Sequence, residues 1–258
     1  MTVAHDEKVV QKFSRQAAGF TDPWPSTGSS PHLERLVRFM EPELDLDDVV
    51  LEVAAGTGTL SRAIAHRVRH ATALDLVPDL LAEGKREADH AGLVNVTFTH
   101  GDATALPYLD RSFTLVVTPF SLHRAADPEA VVRELARVSR PGAAVIIADV
   151  VRPEGQGDPN RIERLRDPAH RALRTADEIR AMLAGAGAEP KRSDTFDHVR
   201  PLAAWLESAR TPDDAAARIR RELEEELGGG PATGMRPVAV DGELHVTRTL
   251  HFQHAIPG

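Results

Sequence analysis

The apolar positions of this chain follow two alternating periods. Val49-Val50-Leu51-Glu52-Val53 is a short apolar run rich in β-branched residues, the pattern of a buried strand. It turns sharply through Ala54-Ala55-Gly56-Thr57-Gly58. An amphipathic pattern follows, with Leu60, Ile64, Ala65 and Val68 on one face, so a helix is expected to begin near Thr57–Thr59. Further strands are expected at 70–75, 95–100, 113–118 and 143–151, separated by helices at 78–91 and 127–139. The second of these helices turns Val131, Val132, Leu135 and Val138 inward. Ahead of the first strand, Leu33, Leu36, Val37 and Met40 space a helix over 31–40, and Val9, Val10, Phe13 and Ala17 space an earlier one. Thr175 with Glu178 three residues on is a capping box for a helix through Ala184.

The last seventy or so residues are patterned differently. Residues 194–199 read as a sixth strand, 201–208 as a short helix carrying Trp205, and 211–227 as a strongly charged helix. Gly228-Gly229-Gly230-Pro231 breaks the chain. Residues 244–252 alternate cleanly as an antiparallel last strand. Strands alternating with helices imply an α/β fold: a Rossmann-like, doubly wound, seven-stranded, mostly parallel sheet with an antiparallel last strand. The expected organisation is an N-terminal lid segment (1–30), a nucleotide-binding core (31–190) and a C-terminal part (191–258) that completes the sheet and covers the substrate.

Composition narrows the chemistry. The chain of 258 residues has no Cys, which removes disulfides, thiolate metal sites and Cys nucleophiles. A net charge of −8 argues against a nucleic-acid partner. No apolar run approaches the roughly 20 residues that span a bilayer. Residues 1–6 carry no signal-peptide pattern, so a cytoplasmic protein is expected, as monomer or homodimer. The twelve His are scattered along the chain, and no metal is expected. No Gly-x-Ser-x-Gly elbow is present for serine-hydrolase chemistry.

The glycine turn carries the most specific signal. A dinucleotide turn would need a third glycine where Ser61 stands. Glu52 would repel a pyrophosphate but suits a ligand with an ammonium group. Glu52-Val53-Ala54-Ala55-Gly56-Thr57-Gly58 resembles the first motif of the class I S-adenosylmethionine (SAM)-dependent methyltransferases, with Ala54 in place of the first glycine. Asp75 ends the second strand at close to the roughly 20-residue interval at which such folds place a ribose-binding carboxylate. A helix cap or a solvated strand-end acid is the alternative there. Gly101-Asp102-Ala103-Thr104-Ala105-Leu106-Pro107-Tyr108, with Ser112-Phe113-Thr114-Leu115-Val116, is similar to a second motif of that family. The phrase from Asp127 to Gly142 is similar to that family's usual wording, and the phrase from Asn160 to His170 resembles its ubiquinone/menaquinone-biosynthesis branch.

The resemblance implies SAM as cofactor and a small-molecule acceptor with an O, N or C nucleophile. It implies cofactor contacts from Glu52, Ala54, Gly56, Gly58, Asp75, Leu76, Asp102, Ala103 and Pro119, with Asp102 taking the adenine amino group. An enzyme of the same fold that binds SAM but catalyses a cyclisation or rearrangement is the alternative. Two histidines fall on carboxyl-edge segments as candidate bases, His123 and His170, each with a purely structural alternative. Phe13, Phe20, Phe120 and Trp205 are candidate lid or substrate-contacting residues. Phe13-Ser14-Arg15-Gln16-Ala17-Ala18-Gly19-Phe20 resembles the family's lid segment, with Phe20 where Tyr is common. Arg161, Arg164, Arg166, Arg171 and Arg174 could rim a site for an anionic substrate, although such groups are more often solvated.

Overall fold

The computed structural model describes residues 31–258 together with Val10, Phe13 and Ser14. Among these, α1 (Pro31–Met40) leads into β1 (Val49–Val53), α2 (Thr59–Ile64), β2 (His70–Asp75), α3 (Pro78–His90), β3 (Val96–His100) and β4 (Phe113–Pro119). Then follow α4 (Pro128–Val138), β5 (Ser139–Val151), α5 (Pro159–Arg166), α6 (Ala176–Gly185) and β6 (Ala188–Pro201). The chain ends with α7 (Leu202–Glu207), α8 (Asp213–Leu227), β7 (Val238–Val240) and β8 (Glu243–Pro257).

The strands form one sheet in the order β3-β2-β1-β4-β5-β8-β6, with β7 paired to β8. The pairs β1–β2, β2–β3, β1–β4 and β4–β5 are parallel. β8 runs antiparallel to both β5 and β6. The expected fold class is therefore found, with eight strands rather than seven. The additional strand is the short β7, whose three residues are too few and too exposed to leave a periodic signal.

Period-two alternation explains why the central strands are apolar throughout. Leu51 and Val53 of β1, with Val145 and Ile147 of β5, face a layer made by α4 and α6, including Val131, Leu135, Ile179 and Leu183. Val50 of β1, with Ala144 and Ile146 of β5, faces α1 and α2 through Leu36, Met40, Leu60 and Ile64. A strand covered on both sides has no solvent face and needs no polar positions. A separate cluster holds the C-terminal cover together, with Ile162, Leu202, Trp205, Leu206, Ile219, Leu223 and Val246.

Most helix bounds lie within two residues of expectation, because their caps are local. Thr175 caps α6 in a complete capping box. Helix α5 carried no expectation. Its start is set by Asp158, which accepts from the Arg161 N–H, and by Pro159. β6 and β8 run several residues beyond the expected strands. Their outer parts pair with each other in an antiparallel ribbon from Ala188↔Pro257 to Pro201↔His245. No helix among the described residues is long and apolar enough to cross a membrane.

Candidate active site

The chain moves outward from β1 through β2 to β3, then crosses back to start β4 on the other side of β1. The loops after β1 and β4 therefore part at the carboxyl edge and leave a crevice. The crevice opens into a cavity of about 440 Å3. Glu52, Ala54, Gly56, Asp75, Leu76, Asp102, Ala103 and Pro119 all line it.

The turn after β1 is built from left-handed backbone. Ala54, Gly56 and Gly58 have φ of 57°, 58° and 66°. A methyl group in that region costs roughly 1–2 kcal/mol, so Ala54 is held there against its preference. Gly58 stands at the N-cap of α2 and has no side chain to satisfy the helix N–H groups. Glu52 does so from the strand: its Oε2 accepts from Ser61 N at 2.8 Å and Ser61 Oγ at 2.6 Å. Gly84 of α3 allows that helix to press on the same turn, since a Cβ there would overlap the Thr57 carbonyl oxygen. Gly58 itself lines no cavity wall; a Cβ on it would lie 2.8 Å from the Phe98 ring and 3.0 Å from Ala73.

Asp75 is buried, and its two oxygens accept from Gly56 N at 2.7 Å and Val77 N at 2.9 Å. Burial pushes its carboxyl above the ordinary range, and those backbone donors oppose the rise. Asp102 is exposed on the cavity wall, its Oδ1 accepting from Thr104 N at 2.7 Å and Thr104 Oγ1 at 2.8 Å. Asp75 is thus fixed by donors from the turn after β1 and from its own loop, Asp102 by donors from its own loop, and both retain acceptor capacity.

The loop after β4 forms the opposite wall. Phe120 takes φ of 51°, a second non-glycine residue held left-handed beside the cavity, and its N–H donates to Ala148 O at 2.6 Å. Strain of this kind is kept where the surroundings over-determine it. His123 follows on a 3-10 turn. Its Nδ1 lies 2.6 Å from Asp149 Oδ1, and its backbone N–H donates to Asp149 Oδ2 at 2.8 Å. The buried carboxylate accepts, so Nδ1 carries the hydrogen and Nε2 is the basic atom of the ring.

The structure separates the other candidates. Phe13 lines the cavity against Val77 and Leu80, and Phe20 lies outside the described residues. His170 lies behind His123, with ring centroids 5.8 Å apart, and does not line the cavity. Its Nε2 donates to Asn160 Oδ1 at 2.9 Å. Burial, against the pull of Glu163, drives its pKa down to about 3. Trp205 is also displaced from its expected place: it is fully buried in the C-terminal cluster and meets the cavity through Arg166 and Arg248, whose guanidinium groups lie 4.6 and 5.8 Å from its ring centroid. Its apolar surface is better served in that core than on a cavity wall.

The methyltransferase domain family matches residues 50–142. The chain is 27% identical over 180 residues to the uncharacterized methyltransferase YcgJ of Bacillus subtilis, covering 67% of this chain and 70% of that protein. The crystal structure of YcgJ superimposes with a TM-score of 0.76 at 22% identity, covering 88% of this chain and 98% of that one. The demethylmenaquinone methyltransferase of Clavibacter sepedonicus is 39% identical over 104 residues, which cover 40% of this chain and 42% of that protein. The [4+2]-cyclase SpnF shares the fold, with a TM-score of 0.70 at 18% identity, covering 98% of this chain and 96% of that one.

Residues 50–142 match a methyltransferase domain, and the comparisons support a class I SAM-dependent methyltransferase. Its cofactor is SAM, and the cavity fits that molecule chemically. SAM presents hydrogen-bond donors at three separated places: an ammonium group, two vicinal ribose hydroxyls and an adenine amino group. This methyltransferase lines one wall with three carboxylates, Glu52, Asp75 and Asp102. Carboxylates accept only, which suits three groups that all donate.

Sequence reasoning missed several residues of the site. Asp149 was placed at the carboxyl edge by strand five but given no role; its distance to His123 is the signal that the fold supplies. Arg166, Arg200 and Arg248 line the far end of the cavity. They come from α5, β6 and β8, and no local motif joins them. Of the expected arginine rim, Arg161 pairs with Glu222 and Arg164 with Asp158. Only Arg166 of that group lines the cavity.

Proposed function

We propose that this methyltransferase transfers the methyl group of SAM to a small-molecule acceptor, with the His123–Asp149 pair as general base. The observation that carries the reading is that His123, held by Asp149 from outside the lining, and the three carboxylates line one cavity. Asp75 would hold the ribose hydroxyls, Asp102 with Ala103 the adenine, and Glu52 with the turn from Ala54 to Gly58 the amino-acid end. Leu76 and Pro119 would supply apolar contacts. When bound, the cofactor supplies an electrophilic methyl group that needs no activation by the protein.

What remains for the chain is to orient the acceptor, exclude water and hold its proton. His123 Nε2 receives the proton of an acceptor O–H or N–H, or of an activated carbon. Asp149, 2% exposed, keeps the ring in the required tautomer and stabilises the imidazolium that forms. His170 holds this arrangement from behind. The backbone N–H groups of Arg171 and Ala172, next in sequence, both donate to His123 O at 3.2 Å.

Incubating the full chain with SAM and a panel of small metabolites tests the reading. The expected product is a metabolite in which methyl replaces hydrogen, with S-adenosylhomocysteine released in equal amount. His123→Asn is expected to lower kcat by about a hundredfold or more while SAM affinity stays unchanged. Tight SAM binding without methyl consumption across the panel would point instead to a cyclisation or rearrangement, with the cofactor as spectator.

A further inference from the structure

The far end of the cavity has an imbalance of charge. Arg166, Arg200 and Arg248 all line it. Two of them share one carboxylate, Glu163: Arg166 Nη1 donates to Oε2 at 3.1 Å, and Arg248 Nη2 lies 2.7 Å from Oε1. Burial raises the Glu163 carboxyl, but Arg248 and Arg166 outweigh it and hold it at about 2, so it is ionised. Arg200 donates to the Ala204 carbonyl at 3.1 Å, and among the described residues no carboxylate pairs with it. Three guanidinium groups therefore surround one carboxylate.

The fold places them together deliberately in register. His198 lies opposite Arg248 across the β6–β8 ribbon, and Arg200 is two residues on, so all three share one face of the sheet. Like charges in such neighbouring positions repel. Arg166 and Arg248 are 6% and 8% exposed, and Arg248 Nε is buried with no hydrogen-bond partner. Burial lowers the pKa of Arg166 to about 10, and burial and then Arg248 lower that of Arg200. Burial also leaves His32 and His198 lowered, His198 to about 4, so the excess of positive charge rests on the arginines. Leu33, Leu36, Phe120 and Val150 line the same cavity with apolar surface.

We propose that this end of the cavity is an oxyanion subsite: the acceptor is an amphipathic molecule whose carboxylate or phosphate group is held by Arg166, Arg200 and Arg248 while its apolar body lies along Leu36, Phe120 and Val150. The inference rests on reading the cavity as a methyltransferase acceptor pocket. An oxyanion there supplies the missing negative charge, and planar guanidinium groups match its geometry. His123 lines the same cavity as the three arginines, so the subsite would leave the far end of the acceptor within reach of the base.

Matched ligands separate the possibilities. Phenylacetate and phenyl phosphate, with phenylacetamide as the neutral control, are titrated into the full-length protein saturated with S-adenosylhomocysteine. At least one anion is expected to bind, with the carboxylate and phosphate arms distinguishing the sources, and the amide is expected to bind far more weakly. Arg200→Gln, which strands no carboxylate, is expected to weaken the anion about tenfold or more and to leave the affinity for S-adenosylhomocysteine unchanged. Anions that bind no better than the amide, or an anion affinity untouched in a folded Arg200→Gln protein, would overturn the subsite. Absence of S-adenosylhomocysteine binding in the wild type would instead overturn the methyltransferase reading on which it rests.

Discussion

Acidification should reveal His170 as a structural histidine. Its ring is 5% exposed, donates to Asn160 and has a pKa of about 3 against an ordinary value of 6.5. The folded protein therefore keeps His170 neutral throughout mild acid, whereas the unfolded chain takes up a proton below about pH 6.5. Because the unfolded state binds more protons there, stability rises with pH across that window and is lost as pH falls. Each pH unit inside the window is worth about 1.4 kcal/mol, so lowering the pH from about 7.5 to about 5.5 costs about 1.4 kcal/mol through this group. A further decrease to about pH 4.5 costs about as much again. His32, His198, His251 and His254 are shifted in the same direction and add to the total slope. His170→Gln preserves an N–H for Asn160 and removes the titration. Urea denaturation of both proteins at the two pH values isolates the contribution. The variant should lose about 1.4 kcal/mol less than the wild type between them. Parallel losses would refute the claim that His170 is held neutral by burial, and would return it to the list of candidate bases.

Three further expectations follow from the cofactor side. Asp75→Ala removes the proposed acceptor for the ribose hydroxyls and should weaken SAM binding by about a hundredfold or more, measured by calorimetry with a melting curve as the control for folding. Gly84→Ala forces α3 away from the Thr57 carbonyl and should cost about 1–3 kcal/mol in chemical denaturation. An unchanged midpoint would mean that the helix is not pressed against the turn as described. Asp149→Asn keeps the size of the residue that orients His123 and should lower kcat far more than it changes KM for the acceptor. An Asp149→Asn protein whose kcat is unchanged, or falls no more than KM changes, would remove Asp149 from its role.

The parts of this fold that were legible in sequence are those whose causes are local. The strand-turn-helix around Glu52 and Gly58 is written in adjacent residues, and the capping box of α6 in four. Asp75 and Asp102 were legible for a related reason: each ends a strand in a segment with its own turn chemistry, and a parallel sheet brings all such ends to one edge. Local pattern did not distinguish His123 from His170, because both follow strands of that edge. Their separation into a cavity residue and a buried one depends on the backbone of 171–172 folding over His123, a contact between distant segments. Trp205 failed for the converse reason. An aromatic residue in a chain with few of them suggested a pocket, but the C-terminal helices needed a core of their own, and the largest apolar side chain available fills it.

The acceptor end was illegible because its charge balance exists only in three dimensions. The arginines of residues 161–174, weighed as a possible rim against an ordinary solvated face, include Arg161 paired with Glu222 and Arg164 paired with Asp158. Arg166 differs from them only in facing Trp205 and Glu163, whereas Arg200 and Arg248 lie on strands whose pairing no turn specifies. The carboxyl-edge architecture thus divides the work by sequence distance. On the proposed reading, cofactor groups come from short motifs at the first three strands, while acceptor groups come from the late strands and α5. A change of acceptor can then be made in β6, β8 and α5 without disturbing the acids at the first three strands, and it is at those late elements that this chain carries its unbalanced charge.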